Sequence, residues 1–409
     1  MFSSPASLHT NTPAPPRRLL LYSGSYNHIT DGVTLTLNRL VQYLESRGTE
    51  VLVVAPTTHN PELEHAGSLL AVPSIALPGR GEYRMATIIP PSVRNQISRF
   101  KPDIVHVATP DLLGRWVMSY ARRKSIPVVT TYHTDFLSYL SYYNIDFLQS
   151  FLLGYLRYFY RRCDLICVPS RSMIEELESR GLEGSMRIWA RGVETDRFNP
   201  EFRSMKWRRS LGIPDGVATI NYTGRLVWEK NIRYLVDISE GLKRRKIPHR
   251  LLITGDGPAR EEMQALLPEG IFLGHLDGTQ LSRAYASSDI FFFPSTTETF
   301  GNVVLEAMAS GLPSVCAEAT GSRDLVVHET SGYLEPGTAV EQLTERIAAL
   351  ADDPVLRETM GRQALHRAQE YRWDAILQTM IGYYAEATQL SQELPRYRRA
   401  LALAPRRAS

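Results

Sequence analysis

At ~150 residues per domain, a chain of 409 residues carries two or three domains, which excludes a single small binding module. Hydrophobic residues make up 43% and charged residues 22%, the balance of an ordinary globular protein. Lysine and arginine (46) exceed aspartate and glutamate (43) only slightly, which argues against a dedicated nucleic-acid binder, and three cysteines cannot build a disulfide framework. Cys163 and Cys167 are separated by three residues, not two, with no His/Cys group nearby to complete a zinc site, so inert thiols in a reducing compartment are expected.

Residues 1–16, MFSSPASLHTNTPAPP, lack the apolar segment of a secretory signal and read as a disordered leader. No run approaches the ~18 apolar residues that cross a bilayer. Apolar strand-like runs follow at 19–22, 51–54, 104–107, 128–130 and 165–168. Between the first two, Leu35, Leu37, Leu40, Val41 and Leu44 mark an amphipathic helix ending at Arg47-Gly48. A Pro/Ser/Gly-rich stretch at 197–214 breaks the pattern, and new runs begin at 218–222, 251–254, 290–293 and 314–316. This alternation predicts an α/β chain of two doubly wound domains, 17–204 and 205–373. A last long helix, 374–392, is expected to cross back to the first domain. The tail, 393–409, carries Arg396, Arg398, Arg399, Arg406 and Arg407 against Glu393, with Leu401 and Leu403 between. It reads either as a solvated extension or as a segment resting on anionic lipid headgroups.

Ligands of open parallel sheets bind beyond the carboxyl ends of the strands, and the motifs lie there. Glu298-Thr-Phe-Gly-Asn-Val-Val-Leu-Glu306 follows the 290–293 run, with Gly301-Asn302 opening a short helix. A helix N-terminus suits phosphate or sugar oxygens, and two bracketing carboxylates suit hydroxyls; a solvated loop acid and a surface helix residue are the plain alternative. Gly224-Arg225-Leu-Val-Trp-Glu-Lys230-Asn231 places a guanidinium and an ammonium where they would neutralise a diphosphate, unless it is simply a basic turn. Gly255-Asp256-Gly257-Pro258 begins a dinucleotide fingerprint, but Arg260 replaces its third glycine; a turn close to a nucleotide base and a purely structural turn both remain. The first strand–helix junction, Ser23 to Thr34, is longer than a tight loop requires, and Gly32 would let backbone amides approach an anion. Thr130-Thr-Tyr-His133-Thr-Asp135 offers a histidine that either serves a reacting sugar or is a satisfied loop residue.

As an ordered set these motifs resemble retaining glycosyltransferase family 4, a family with the GT-B fold of two Rossmann-like domains facing across a cleft. The resemblance spans roughly residues 17–390. Its strongest block runs from Ala284-Tyr-Ala-Ser-Ser-Asp289 through Pro294-Ser295 and Glu298-Thr-Phe-Gly to Glu306-Ala-Met-Ala-Ser-Gly-Leu-Pro313, with Arg191-Gly-Val-Glu-Thr-Asp-Arg-Phe-Asn-Pro200 ahead of it. Trp189-Ala-Arg-Gly-Val-Glu and Tyr132-His-Thr-Asp look like the glycolipid-making branch of GDP-mannose-dependent α-mannosyltransferases and sulfoquinovosyltransferases. The resemblance implies an N-terminal acceptor-side domain and a C-terminal nucleotide-sugar-binding domain. It implies that Arg225 and Lys230 hold the donor diphosphate, Glu306 the ribose hydroxyls, and Glu298 with the amides of Phe300, Gly301 and Asn302 the sugar hydroxyls. Gly32 would meet the phosphates, His133 the donor sugar, and Asp256 the nucleotide. Glu194 stands where the family commonly has aspartate.

No two aspartates are separated by one residue, so the D-x-D metal site of the other large glycosyltransferase fold is absent; no metal or other cofactor is expected, with Arg225 and Lys230 supplying fixed charge. No carboxylate in the matched motifs is an obvious covalent nucleophile, which favours the family's front-face substitution. Between Phe136 and Tyr160 ten residues are Phe or Tyr. Leu148, Phe151, Leu152, Tyr155, Leu156 and Phe159 keep helical spacing and are expected in the core. The surplus Tyr139, Tyr142 and Tyr143, with Arg80 and Arg84, would form a lipid-facing acceptor mouth. The expected partners are a nucleotide sugar, a lipid acceptor and a membrane surface, and the expected location is the cytoplasm, with peripheral attachment to the inner face of a membrane. A soluble or polysaccharide acceptor, an epimerase and a non-catalytic nucleotide-sugar-binding protein are the competing readings.

Overall fold

The computed structural model describes residues 13–77, 80–133 and 149–402, and the side chains of residues 77, 80–83 and 394–402 are not described. Tyr139, Tyr142, Tyr143, Asp135, Arg406, Arg407 and residues 1–12 of the leader lie outside the described residues. The chain divides into two compact units: Ala190–Ile376 with Ser170–Ser172, and the remainder, in which the chain through Pro169 joins Met173–Trp189 and the residues from Leu377 on.

The unit that opens the chain is built on a seven-stranded sheet in the order β3-β2-β1-β6-β7-β8-β9. Its strands are β1 (Arg18–Tyr22), β2 (Glu50–Pro56), β3 (Ser68–Val72), β6 (Ile104–Val107), β7 (Val128–Thr131), β8 (Leu165–Val168) and β9 (Met186–Ile188), all paired in parallel. β4 (Ser74–Leu77) and β5 (Arg80–Ala86) form a separate antiparallel hairpin. Central strands are apolar on both faces because helices cover both: Leu20, Val105 and Val117 share one core, while Leu19, Leu21, Leu37 and Leu40 are wholly buried too. The first helix, Gly32–Ser46, starts on a capping box, Asp31 accepting from the Val33 and Thr34 amides and Thr34 Oγ1 from the Asp31 amide. The helix Gln149–Tyr160 buries Leu156, Phe159 and Tyr160, but Phe151 is 78% exposed, against the expectation of an apolar stripe wholly in the core. Leu152 and Leu153 take the inward positions of that first turn, which rotates Phe151 to solvent.

The second unit carries a six-stranded parallel sheet in the order β12-β11-β10-β13-β14-β15. These are β10 (Ala218–Thr223), β11 (His249–Thr254), β12 (Ile271–Gly274), β13 (Ile290–Phe293), β14 (Ser314–Ala317) and β15 (Gly332–Glu335). Ile220, Tyr222, Ile253, Phe292 and Val315 pack with Leu343 and Ile347 of the helix Val340–Asp352. The segment ahead of residue 205 belongs to this unit for a charged reason. Asp289, buried just before β13, accepts from Arg203 (2.6 Å), Arg208 (2.8 Å) and the Thr219 amide (2.8 Å). Burial pushes the Asp289 carboxyl upward, but the two guanidiniums prevail and hold it below the ordinary carboxylate range.

The last helix, Trp373–Ala402, begins in the second unit and from Leu377 belongs to the first. It continues through Ala402, beyond the expected end at 392. All three cysteines are free and buried, and burial pushes each thiol well up, so none is a thiolate near neutral pH. Among the described residues no helix is long and apolar enough to cross a membrane.

Candidate active site

In a doubly wound sheet the ligand crevice opens where strand order reverses. In the second unit that is between β10 and β13, and the loops leaving these strands carry Arg225, Lys230 and Glu298. The β10 loop is locked to its neighbour: Gly224 N–H donates to Thr254 O (3.0 Å), Leu226 N–H to Asp256 O (2.9 Å) and Ala259 N–H to Leu226 O (3.0 Å). The approach leaves no room for side chains. A Cβ on Gly255, where φ is +125°, would fall 2.0 Å from Gly224 O, and one on Gly257 would fall 2.4 Å from Leu226 O. Gly255-Asp256-Gly257 is thus the brace of the Arg225 loop. Asp256 is exposed and engaged in its own turn, accepting from Gly257 N–H (2.8 Å) and Arg260 (2.9 Å); the Gly257 amide first, then Arg260, hold its carboxyl below the usual range.

Tyr222 Oη donates to Arg225 O (3.0 Å), fixing the backbone beneath an exposed guanidinium that makes no ion pair among the described residues. After one 3-10 turn, Trp228–Lys230, Asn231 adopts a left-handed conformation (φ +55°) and donates to Pro294 O (3.1 Å), stitching the loop to the end of β13. Lys230 Nζ is then in ion-pair contact with Glu298, both side chains being mostly enclosed, at 16% and 30% exposure. Two residues 68 positions apart in sequence meet at the switch point.

The Glu298 loop is braced from below by the helix Thr320–Arg323. Thr320 Oγ1 donates to Glu298 O (2.8 Å), and a Cβ on Gly301, at φ +89°, would fall 2.6 Å from Gly321 O. Gly301 opens the helix Asn302–Ala309 with no side-chain cap. The amides from Phe300 to Val303 donate to no protein acceptor among the described residues, while Val304 and Leu305 already bond to Gly301 O. Phe300 itself is buried with its ring 6.1 Å from that of Tyr371, so its contribution is backbone. An uncapped N-terminus beside Lys230 is a ready anion or hydroxyl-oxygen site.

Glu306 lies one turn further on, half-buried, accepting from Tyr285 Oη at 3.0 Å. Burial pushes its carboxyl up to about 7; Tyr285 and Arg197 pull it down, and Glu194 pushes it further up. Glu194 and Arg197 pair at 3.4 Å. Tyr285, Arg197 and Glu194 therefore shape the charge of Glu306. In the sequence Tyr285 and Glu194 stand in motifs that do not reveal this, because the hydrogen bond and the field arise only from folding.

In the first unit the reversal lies between β1 and β6. Gly32 is exposed at the start of the Gly32–Ser46 helix, but Asp31 takes the Val33 and Thr34 amides (2.9 and 2.8 Å), leaving the Gly32 N–H as the first-turn donor. Asn38 Nδ2 donates to Tyr26 O (2.9 Å) and Tyr26 Oη to Ala66 O (2.8 Å), so the long junction is a packed segment. His133 follows β7, half-buried, with Nε2 2.7 Å from Thr131 Oγ1 and its ring 5.9 Å from that of Trp189. Among the described residues no three His, Cys, Asp or Glu side chains gather as a metal site.

The family model Glycosyltransferase Family 4 matches residues 30–197, and the model Glycosyl transferases group 1 matches residues 204–367. Sulfoquinovosyl transferase SQD2 of Arabidopsis thaliana is 33% identical over 374 residues, covering 88% of this chain and 72% of that protein. A GDP-mannose-dependent alpha-mannosyltransferase of Corynebacterium glutamicum is 30% identical over 387 residues, covering 93% and 91%. Among solved structures, sucrose-phosphate synthase from Thermosynechococcus elongatus superimposes with a TM-score of 0.71 at 22% identity, over 90% of this chain and 98% of that one. That likeness shows the fold, GT-B. The chain belongs to glycosyltransferase family 4.

Proposed function

We propose that this family 4 glycosyltransferase moves a hexose, with retention of configuration, from a nucleotide-diphosphate sugar to a hydroxyl of a lipid acceptor. The observation that carries the reading is the Lys230–Glu298 pair at the β10/β13 reversal, beside amides and an Arg225 guanidinium that are unpaired among the described residues. Arg225 and Lys230 neutralise the diphosphate and the charge left on it as the anomeric bond breaks. Glu298 releases Lys230 to the phosphate and accepts from sugar hydroxyls, with the Phe300–Asn302 amides opposite. Glu306 accepts from the ribose diol. The departing phosphate oxygen takes the proton of the acceptor hydroxyl as that oxygen bonds to the anomeric carbon on the same face. Fixed cationic side chains do the work that a divalent metal would do, so no metal or cofactor is assigned. GDP-mannose and UDP-sugars are the donor candidates, the first being the donor named for the Corynebacterium relative.

A lipid acceptor is supported by the surface of the first unit. Tyr155 Oη donates to Asp111 O (3.0 Å), bringing exposed Phe151 and Leu112 onto helices that meet. Arg115 and Arg162 lie over the Tyr158 ring, at 5.0 and 3.6 Å, supplying positive charge nearby. We assign this face to a cytoplasmic membrane surface. Incubation with a panel of GDP- and UDP-sugars tests the activity: one donor is consumed, and Lys230→Ala lowers turnover by on the order of 10²–10³-fold with an unchanged fold. Near-native turnover by Lys230→Ala would sink the assignment, and binding without turnover of any donor would favour a non-catalytic role.

A further inference from the structure

Behind His133 three polar groups of the first unit stand in line. Tyr384 Oη is 2.9 Å from His106 Nδ1, His106 Nε2 is 3.1 Å from Thr131 Oγ1, and Thr131 Oγ1 is 2.7 Å from His133 Nε2. His106, Thr131 and Tyr384 are each no more than 1% exposed. The Trp189 ring borders both imidazoles, 6.4 Å from His106 and 5.9 Å from His133. None of this is needed to fold β6 or β7, which pair through their backbones.

We propose that Tyr384, His106 and Thr131 form a one-way hydrogen-bond relay that fixes His133 as the neutral ring protonated on Nδ1, making it a hydrogen-bond donor to the sugar and not a base. The direction follows from counting protons. A buried hydroxyl proton needs an acceptor, and among the described residues that of Tyr384 has one, His106 Nδ1. His106 is neutral, since full burial pushes its pKa down to about 3. Its single proton is therefore on Nε2 and is donated to Thr131 Oγ1. The Thr131 hydroxyl, with that lone pair occupied, gives its own proton to its other partner, His133 Nε2. A neutral His133 must then carry its proton on Nδ1.

Reversing the line would turn the Tyr384 hydroxyl proton away from its only acceptor among the described residues, so the relay has a preferred sense. Protonating His133 on Nε2 would demand the same reversal, or would leave the Thr131 hydroxyl proton with no acceptor among the described residues. The relay thus opposes the imidazolium as well as the other tautomer. Tyr384, His106 and Thr131 act through His133 and are positioning residues. They also explain why an apolar strand, Ile104–Val107, carries a histidine at its centre.

The proposal rests on the assignment of His133 to the donor sugar, and the two can fail separately. Long-range ¹H–¹⁵N correlation spectra of the ligand-free full chain with labelled histidine, assigned with His133→Ala, read the tautomer directly. The Nδ1–H pattern is expected for His133 in the native chain. Thr131→Val should shift it toward Nε2–H, and Thr131→Ser, which keeps the hydroxyl, should restore it. Turnover should fall about tenfold in Thr131→Val and Tyr384→Phe, the equivalent of one hydrogen bond, with the donor KM within twofold and recovery in Thr131→Ser. An Nε2–H pattern in the native chain, or an Nδ1–H pattern that survives Thr131→Val, overturns the relay. An intact Nδ1–H pattern with full turnover in His133→Ala overturns the assignment of His133 to the sugar.

Discussion

Glu306 sets folding against binding, and the opposition can be measured. Its carboxyl is raised from an ordinary 4.5 to about 7 by burial. At ~1.4 kcal/mol per unit, holding it ionised costs at most about 3.5 kcal/mol, a ceiling because the side chain is half-buried and partly screened. The folded chain binds this proton more tightly than the unfolded chain, so the favourable contribution is complete below pH 4.5 and is lost as pH rises through about 7. Glu306→Gln keeps an acceptor for Tyr285 Oη and removes the charge. Its second unit should match the native one at pH 4 and exceed it at pH 8 by up to ~3.5 kcal/mol in urea unfolding. Binding should move the other way. Native affinity for a nucleotide sugar, whose phosphates do not titrate between pH 5 and 8, should fall about tenfold per unit below pH 7, and Glu306→Gln should bind poorly throughout. A variant no more stable than the native chain at pH 8, or an affinity flat from pH 5 to 8, would refute the reasoning.

Gly255→Ala should cost several kcal/mol and misplace Arg225 without touching a ligand, because its Cβ meets Gly224 O in a left-handed backbone; urea unfolding and donor KM would both report it. Asp289→Asn leaves Arg208 buried without its carboxylate and should destabilise the second unit by ~3–5 kcal/mol. The native pairing should hold above the ordinary carboxylate range and fade as pH falls through the lowered Asp289 pKa, seen as a loss of melting temperature in acid. Phe151→Ser with Leu112→Ser should weaken binding to anionic liposomes without altering the melting temperature, both side chains being exposed; unchanged sedimentation with liposomes would count against the membrane face.

The central strands were legible because burial on two faces demands unbroken apolar runs such as Ile290-Phe-Phe-Phe293 and Val51-Leu-Val-Val54. The strands missed in the two parallel sheets, β3, β9, β12 and β15, are their four edges, where Met186-Arg-Ile188 is short and partly exposed and Gly332-Tyr-Leu-Glu335 mixes a glycine and an acid into its run; the β4–β5 hairpin, outside both sheets, was missed too. Motif order located the chemistry at strand ends. It could not show that Lys230 and Glu298 touch, that the Gly255-Asp-Gly257 turn braces a loop, or that Asp31 occupies most of the first helix terminus, since each depends on contacts across the sheet. Spacing alone also put Phe151 in the core, when neighbouring leucines had already filled the inward side.

The final helix has a consequence for synthesis. The sheet of the first unit is complete in sequence by Ile188, yet Tyr43, Arg187 and His106 find partners in Gln378, Glu386 and Tyr384, and Tyr383 donates to Ile188 O (2.7 Å). At ~5–20 residues per second, a ribosome needs on the order of 10–40 s to travel from that strand to the helix. For that interval the nascent first unit exposes the apolar surface that Met380, Ile381 and Tyr384 later cover, while the second unit emerges with all its strands in hand. The half made first is therefore the half finished last, and until the helix arrives its uncovered apolar surface is the part of the chain most open to association.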